Sequence, residues 1–196
     1  MVLFYFCLFL NKFKELEQLL TMSTQPLRIV FCIPGKEFSD KFLRCWTNML
    51  GFCFRNNIQP ILSNRYTSNV YYVRSMCLGA NVLAGVDQKP WQGKLEYDYM
   101  MWIDSDIVFT PDDLMKLLSH KKDIVGGMYL MDPGVAYPIV EEWDEEVFLK
   151  NGSFEFLTPN KVETHKLAGK SLINVAYTGF GFLLIKSGVI EELEYP

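Results

Sequence analysis

The sequence predicts an α/β fold in which a mixed, mostly parallel sheet is flanked by helices, with a β-hairpin in the last third of the chain. Short runs of β-branched and aromatic residues alternate with stretches whose apolar residues recur at helical spacing. This alternation is typical of parallel sheets. The 196 residues are 49% hydrophobic and 15% aromatic, which provides enough apolar material for a packed core.

Four apolar runs predict strands, and the stretches between them predict helices. The strands are expected over residues 27–33, 59–62, 99–103 and 123–129, and the helices over residues 40–56, 68–84 and 110–120. Ser39 is the expected N-cap of the first helix, because a serine hydroxyl accepts hydrogen bonds from the first free backbone N–H groups. Thr110 and Pro111 open the third helix, since proline suits the first helical position. Residues 63–65 are expected to form a polar break.

The last third of the chain has a different pattern. Residues 147–149 and 154–157 flank Asn151-Gly152, a dipeptide favoured in two-residue hairpin turns, so a β-hairpin is expected there. Two further apolar runs, residues 172–177 and 182–185, predict strands on either side of a Thr-Gly-Phe-Gly segment.

Residues 1–21 are predicted to be an extension that precedes a single domain over residues 22–196. Residues 1–10 are uninterrupted apolar residues, which is too short a run to cross a bilayer, because a spanning helix needs about 20 residues. One interpretation is an interfacial anchor that brings residues 1–20 into peripheral contact with a membrane. The other is an extension read from a start codon upstream of Met22.

Charge and cysteine usage exclude some classes of partner and site. The net charge of −4 argues against a nucleic-acid partner. An odd number of cysteines without a C-x-x-C pair favours reduced thiols in a cytoplasmic protein over a disulfide framework or a zinc site. The five cysteines are Cys7, Cys32, Cys45, Cys53 and Cys77.

The most informative local feature is Asp104-Ser105-Asp106, directly after the predicted strand 99–103. The carboxyl ends of parallel strands are where ligands bind in open α/β sheets. Residues two apart in an extended segment point the same way, so both carboxylates are expected to face one hard cation such as Mn²⁺ or Mg²⁺. The alternative is that Asp104 caps the strand end while Asp106 is only solvated.

Residues 99–129, YMMWIDSDIVFTPDDLMKLLSHKKDIVGGMY, resemble the D-x-D region of GT-A-fold glycosyltransferases of the family 2 type, within the nucleotide-diphospho-sugar transferase superfamily. Arg74 falls where such proteins often carry an arginine on the helix before the D-x-D strand. Residues 177–182, YTGFGF, resemble their glycine-containing loop beside the acceptor. In weaker form the resemblance extends over residues 27–196. It implies a GT-A-like, Rossmann-like domain that binds a nucleotide sugar.

The same resemblance implies a donor site and an acceptor side. Asp106 would bind the metal directly, and Asp104 would face the ribose or the metal shell. Arg74 would pair with a phosphate or hold a neighbouring carboxylate, the alternative being an ordinary exposed helix arginine. The implied donor-binding residues are Pro34, Gly35, Arg74, Asp104, Ser105 and Asp106, with Asp104 and Asp106 as metal ligands. The implied acceptor-side residues are Thr178, Gly179, Phe180 and Gly181.

The expected function is that of a metal-dependent glycosyltransferase, or of its donor-binding portion. It would transfer a sugar from a nucleoside-diphosphate sugar to a hydroxyl of a glycan, lipid or protein acceptor. In the family an acidic general base follows the glycine-containing loop, so here the base is expected beyond Pro196, and this chain alone is expected to transfer weakly or not at all. The alternatives are a nucleotidyltransferase and a non-catalytic nucleotide-sugar-binding or scaffold protein of the same fold.

Two tryptophans and one histidine lie in polar stretches outside these motifs. Trp91 and Trp143 would stack on a sugar or cover core. His165 has no partner that the sequence reveals, and the acidic run over residues 141–146 is expected to be a solvated face.

Overall fold

The computed structural model describes residues 24–131 and 134–193. The predicted N-terminal extension, residues 1–21, lies outside these described residues. The described chain forms two compact units. The first contains the residues up to Val125 and those from Leu183 onwards, and the second is Gly126–Phe182.

A five-stranded sheet forms the centre of the fold. Its strands are β1 (Leu27–Pro34), β2 (Ile58–Arg65), β3 (Tyr99–Ile103), β4 (Ile124–Gly126) and β7 (Phe182–Lys186). The strand order is β2-β1-β3-β7-β4. β1 pairs in parallel with β2, from Leu27 opposite Ile58 to Pro34 opposite Arg65, and in parallel with β3 on its other side. The predicted mixed α/β fold with a mostly parallel sheet is therefore confirmed at that level.

Three helices belong to the first unit: α1 (Asp40–Arg55), α2 (Val70–Cys77) and α3 (Pro111–Ser119). Helix α1 packs on β2, while α2 packs on both β1 and β2. Ser39 caps α1 as predicted, since its Oγ accepts the N–H of Phe42 at 3.1 Å. Thr110 caps α3 with Asp113 in a capping box, which confirms the predicted start of that helix.

Apolar residues from both faces of the sheet are buried. Along β1, Ile29, Val30, Phe31 and Cys32 are all 0% exposed, as expected for a central strand covered on both sides. One core cluster joins Val30, Met100, Trp102 and Leu183 from three neighbouring strands. The described cysteines are free thiols, and three of them are buried: Cys32, Cys53 and Cys77.

Three predicted boundaries were wrong. Strand β4 ends at Gly126, whereas the predicted strand continued to residue 129. Strand β2 continues through residues 63–65, which were expected to break it, because its polar side chains find partners: Ser63 Oγ donates to the Cys77 carbonyl at 2.6 Å. Helix α2 ends at Cys77 rather than at residue 84. Gly79 follows in the left-handed region (φ +70°) with Trp91 packed against it, and this conformation stops the helix.

The second unit contains helices α4 (Glu145–Asn151) and α5 (Pro159–Leu167) and the short strands β5 (Ile139–Val140) and β6 (Tyr177–Thr178). β5 and β6 pair antiparallel, so the last third does contain an antiparallel strand pair. The predicted position of the hairpin, however, was wrong. Asn151 ends α4, and Gly152 adopts φ +70° as the helix C-cap, because a left-handed glycine serves a helix end as well as a hairpin turn.

None of the helices in the described ranges is both long enough and apolar enough to span a membrane.

Candidate functional site

The carboxyl ends of the parallel strands bring together the predicted donor-site residues. β1 ends at Pro34 and β2 at Arg65, opposite each other in register. The Gly35 N–H donates to the Arg65 carbonyl at 3.0 Å, so the pairing continues one residue beyond the strand. Asp104 follows β3, which is parallel to β1, and therefore lies at the same edge of the sheet.

Gly35 lies directly against the D-x-D segment. A Cβ atom at position 35 would stand 2.9 Å from Ser105 Cβ and 3.2 Å from the ring of Phe38. Real Cβ atoms do not approach each other this closely, so only glycine allows the loop after β1 to touch Ser105. Two segments that lie 70 residues apart in the sequence are thus in van der Waals contact.

Asn64 fixes the loop on which Gly35 lies, and the sequence analysis did not identify it. Its Nδ2 donates to the carbonyls of Ile33 at 2.7 Å and of Gly35 at 2.9 Å. Ile33 lies in the last part of β1 and Gly35 directly follows the strand, so one amide group holds two carbonyls of the backbone where the chain leaves β1. A polar residue next to the end of a predicted strand was the available signal, and it was interpreted as a strand break instead.

Arg74 and Asp104 form a half-buried ion pair. Arg74 Nη2 lies 3.0 Å from Oδ1 and 3.1 Å from Oδ2 of Asp104, with the two side chains 22% and 32% exposed. The guanidinium carbon also lies 5.5 Å from the ring centre of Trp102, within the range of a cation–π contact. Of the roles considered for Arg74, the structure shows it holding a neighbouring carboxylate.

The pKa of Asp104 is raised above its ordinary value. Burial is the largest cause, the charge and hydrogen bonding of Arg74 act in the opposite direction, and the like charge of Asp106 raises it further. The charge of Asp106 thus disfavours the ionised form of Asp104. A cation between or beside them would relieve this repulsion.

Asp104 and Asp106 lie in a turn, not in an extended segment as the sequence analysis assumed. The N–H of Ile107 donates to the Asp104 carbonyl at 3.1 Å, which closes a turn over residues 104–107. The turn lies in the seven-residue connection between β3, which ends at Ile103, and α3, which begins at Pro111. The Asp106 side chain is exposed and accepts no hydrogen bond from the described residues.

The donor set fits a hard divalent cation that is completed by other ligands. Carboxylate oxygens are the ligands that Mg²⁺ and Mn²⁺ prefer, and Mg²⁺ is often held by one or two carboxylates plus substrate phosphates and water. Within residues 24–131 and 134–193 there is no group of three or more His, Cys, Asp or Glu side chains arranged to hold a metal. A cation here would therefore take most of its ligands from a bound phosphate and from water.

The predicted acceptor-side residues lie in the second unit, and their glycines have a packing role. The Gly181 N–H donates to Tyr129 Oη at 2.9 Å, and a Cβ at position 181 would lie 2.6 Å from the Tyr129 ring. Gly179 is likewise in close contact with Tyr129, and a Cβ there would lie 2.9 Å from Pro138. The side chain this segment exposes is Phe180, while Thr178 is half-buried.

The three remaining candidates have distinct surroundings. Trp91 packs against the core and meets Tyr97 edge to face, so it covers core. Trp143 is 54% exposed. His165 pairs with Glu141, Nε2 to Oε1, at 2.7 Å. The sequence did not reveal this partner, because 24 residues separate the two side chains.

The sequence matches no protein-family model, and no curated protein is significantly similar to it.

Proposed function

We propose that this chain binds a nucleoside-diphosphate sugar through Mn²⁺ or Mg²⁺ and acts as a glycosyltransferase, or as the donor-binding portion of one. The supporting observation is the pair of neighbouring carboxylates after β3, one held by Arg74 and the other exposed. This pair follows a buried strand of a parallel sheet, at the edge where such sheets bind ligands.

Asp106 is the proposed metal ligand. Its carboxylate is exposed and is not engaged by a hydrogen-bond donor of the described chain, so its oxygens are available to a cation. When bound, the cation supplies charge neutralisation to the leaving diphosphate. Asp106 itself would orient the cation at the end of β3.

Arg74 and Asp104 are proposed to position the site. The guanidinium covers both oxygens of Asp104 and keeps a second negative charge next to Asp106 in a fixed place. A half-buried carboxylate without such a partner would take up a proton more readily and attract a cation less. The ion pair therefore preserves the negative charge that the metal requires.

Gly35 and Ser105 would form the floor of the nucleotide site. Their close contact leaves no side chain from position 35 above the D-x-D turn, so a ligand can approach the backbone there. Asn64 would keep this loop in place through its two hydrogen bonds.

Calorimetric titration of UDP and GDP, with and without Mn²⁺, tests the proposal. We expect diphosphate binding that requires the metal and weakens at least about tenfold in Asp106→Asn, because a neutral amide is a poorer ligand for a hard cation. Asp112→Asn removes an exposed carboxylate from the first turn of α3 and serves as the matched control, with unchanged binding expected. Metal-independent binding, or equal losses in both variants, would refute the proposed site.

The same titration separates the alternatives. Tighter binding of a nucleoside triphosphate than of a diphosphate sugar would favour a nucleotidyltransferase. Diphosphate binding that does not require a metal would favour a non-catalytic nucleotide-sugar-binding or scaffold protein.

A further inference from the structure

Helix α4 and its two flanks bring three aromatic side chains into one row. Asp144 caps the start of the helix by accepting the Val147 N–H at 3.0 Å, and Gly152 reverses the chain at its end. Trp143 before the helix and Phe154 after it therefore meet, with ring centres 4.5 Å apart. Phe148, on the helix, stacks on Phe154 at 4.7 Å with an interplanar angle of 28°.

The rings of this row are more exposed to solvent than side chains that only pack together at the start of a helix. Trp143 and Phe148 occupy the positions whose side chains usually pack together as a hydrophobic staple. Here Phe154 contacts both rings, and Trp143 and Phe148 remain 54% and 41% exposed. A cleft of about 210 Å³ remains beside them, which we call the aromatic cleft, and its walls are Trp143, Glu145, Phe148, Leu149 and Phe154.

The charge around the aromatic cleft is negative. Glu145 lies three residues before Phe148 on the same face of α4, and its carboxylate makes no ion pair or hydrogen bond with the described residues. A second cavity of about 360 Å³ shares Phe154 with the aromatic cleft. Lys161 is the one cation among the described residues that line this cavity, and it lies 3.9 Å from the Glu155 carboxylate. Four carboxylates line the same cavity: Glu141, Glu142, Asp144 and Glu155.

We propose that the aromatic cleft binds a small quaternary ammonium compound. The faces of aromatic rings carry negative electrostatic potential and attract cations that are too poorly hydrated to prefer water, and tryptophan does so best. Phe154 packs on one side of each of the other two rings, so the contact is proposed for the exposed sides of Trp143 and Phe148. Glu145 adds a full negative charge at the rim. No basic side chain is among the described residues that form its walls, so an anion would be repelled. The volume accommodates a trimethylammonium group and is too small for a folded peptide element.

The proposal differs from one in which the cleft is only an apolar patch, because it requires the charge of the ligand. Choline and its neutral isostere 3,3-dimethylbutan-1-ol have nearly the same shape, and the second has carbon in place of the charged nitrogen. We expect saturable perturbation of the Trp143 indole N–H resonance by choline chloride, measured against equal concentrations of sodium chloride. The isostere should bind at least about fivefold more weakly, the order expected for loss of a cation–π contact at a partly exposed site.

Variants distinguish the residues responsible. Glu145→Gln should weaken choline binding about threefold or more, because it removes the charge at the rim without changing the shape of the side chain. Glu146→Gln changes the same charge in the first turn of the same helix but outside the cleft walls, and should leave binding unchanged. Phe148→Leu keeps an apolar side chain on the helix and should weaken choline binding more than binding of the isostere.

Circular dichroism of each variant establishes that it is folded. Equal affinity for choline and its isostere, or equal effects of Glu145→Gln and Glu146→Gln, would overturn the proposal. Binding of a methyl glycoside with no response to choline would show that the row stacks on sugars instead, and an absence of choline binding to the folded wild-type chain would also refute it. These results are independent of diphosphate binding, whose proposed residues all lie in the first unit.

Discussion

Asp104 is subject to opposing influences from its surroundings. Burial and the neighbouring charge of Asp106 favour the protonated form, whereas Arg74 favours the carboxylate. This balance makes the negative charge of the D-x-D turn depend on one guanidinium that lies on a different element, helix α2. It also separates the roles of the two aspartates, because only Asp106 is exposed and open to a new ligand.

Substitution of Arg74 should therefore weaken metal-dependent binding, although Arg74 is not itself a metal ligand. We expect Arg74→Gln to weaken Mn²⁺-dependent diphosphate binding about tenfold, because the pKa of Asp104 rises further when its cationic partner is lost. Arg74→Lys should recover part of the affinity, since an ammonium keeps the charge but not the fork geometry of a guanidinium. Calorimetry measures both, and equal affinity for the glutamine variant and the wild type would contradict the role assigned to Arg74.

Two glycines of the first unit should respond oppositely to the same substitution. Gly35→Ala places a methyl group 2.9 Å from Ser105 Cβ and should lower the free energy of unfolding by about 1–3 kcal/mol, the usual effect of overpacking. Gly51→Ala, in α1, meets only the flexible end of Arg55 and should raise it by about 0.5–1 kcal/mol. Urea denaturation measures both changes. A neutral Gly35→Ala would mean that the loop after β1 moves away freely from the D-x-D turn.

Secondary-structure elements of the first unit are joined by a few polar contacts between distant segments. Asp98, just before β3, accepts the backbone N–H of Arg28 at 2.8 Å and hydrogen bonds from its guanidinium at 3.2 and 3.3 Å. The Asp98 N–H in turn donates to the Arg28 carbonyl at 2.9 Å. These bonds align the start of β3 with the start of β1, and hence also align the far ends of these two strands.

The stability that the contacts between Arg28 and Asp98 contribute should depend on pH. Burial raises the pKa of Asp98, but the hydrogen bonds and charge of Arg28 together outweigh burial and hold it below the ordinary value of 3.8. A carboxylate with a lowered pKa stabilises the fold above its unfolded-state pKa, and this contribution disappears as pH falls through the folded-state pKa. Asp98→Asn should therefore lower Tm at pH 7, and the difference from wild type should shrink below about pH 4.

Thermal unfolding of both proteins between pH 7 and pH 3 checks this prediction. Asp123→Asn is the control, because its carboxylate pairs with Lys186 at 3.7 Å while remaining largely exposed. A difference in Tm between wild type and Asp98→Asn that stays constant over this range would show that the charge of the Asp98 carboxylate does not contribute to stability.

The molecule as a whole contains two compact units, each with its own buried cluster. In the second unit the cluster is small and consists of Ile139, Leu157 and Val162, with half-buried neighbours. Leu157 is 1% exposed and its N–H donates to the Ile139 carbonyl at 2.8 Å, so it links the centre of this cluster to β5. Each unit can therefore be perturbed from within its own core.

Leu157→Ala should destabilise the second unit more than the first. Removing a buried leucine side chain costs about 2–5 kcal/mol, and a three-residue cluster offers few groups to fill the cavity. Hydrogen exchange should show loss of protection in β5 and α5 with smaller changes in β1. Equal loss of protection in β1 would mean that the two units unfold as one cooperative structure.

Local patterns in the sequence determined much of the first unit. Strands β1 and β3, helix α3 and the cap of α1 were predicted within about one residue, because each depends on periodicity or on a capping side chain three residues away. The D-x-D turn was located for the same reason, since it directly follows a recognisable buried strand. These elements and the position of the D-x-D segment could be predicted from residues that are close together in the sequence.

Tertiary structure alone decided the rest. The dipeptide Asn151-Gly152 is compatible with a hairpin turn and with a helix end, and only packing selects between them. Arg74 and Asp104 are 30 residues apart, as Asn64 and Gly35 are 29 apart, so neither partnership is visible in a local pattern. Parallel strands bring such distant residues to one edge, and which of them meet depends on register and packing summed over the whole sheet.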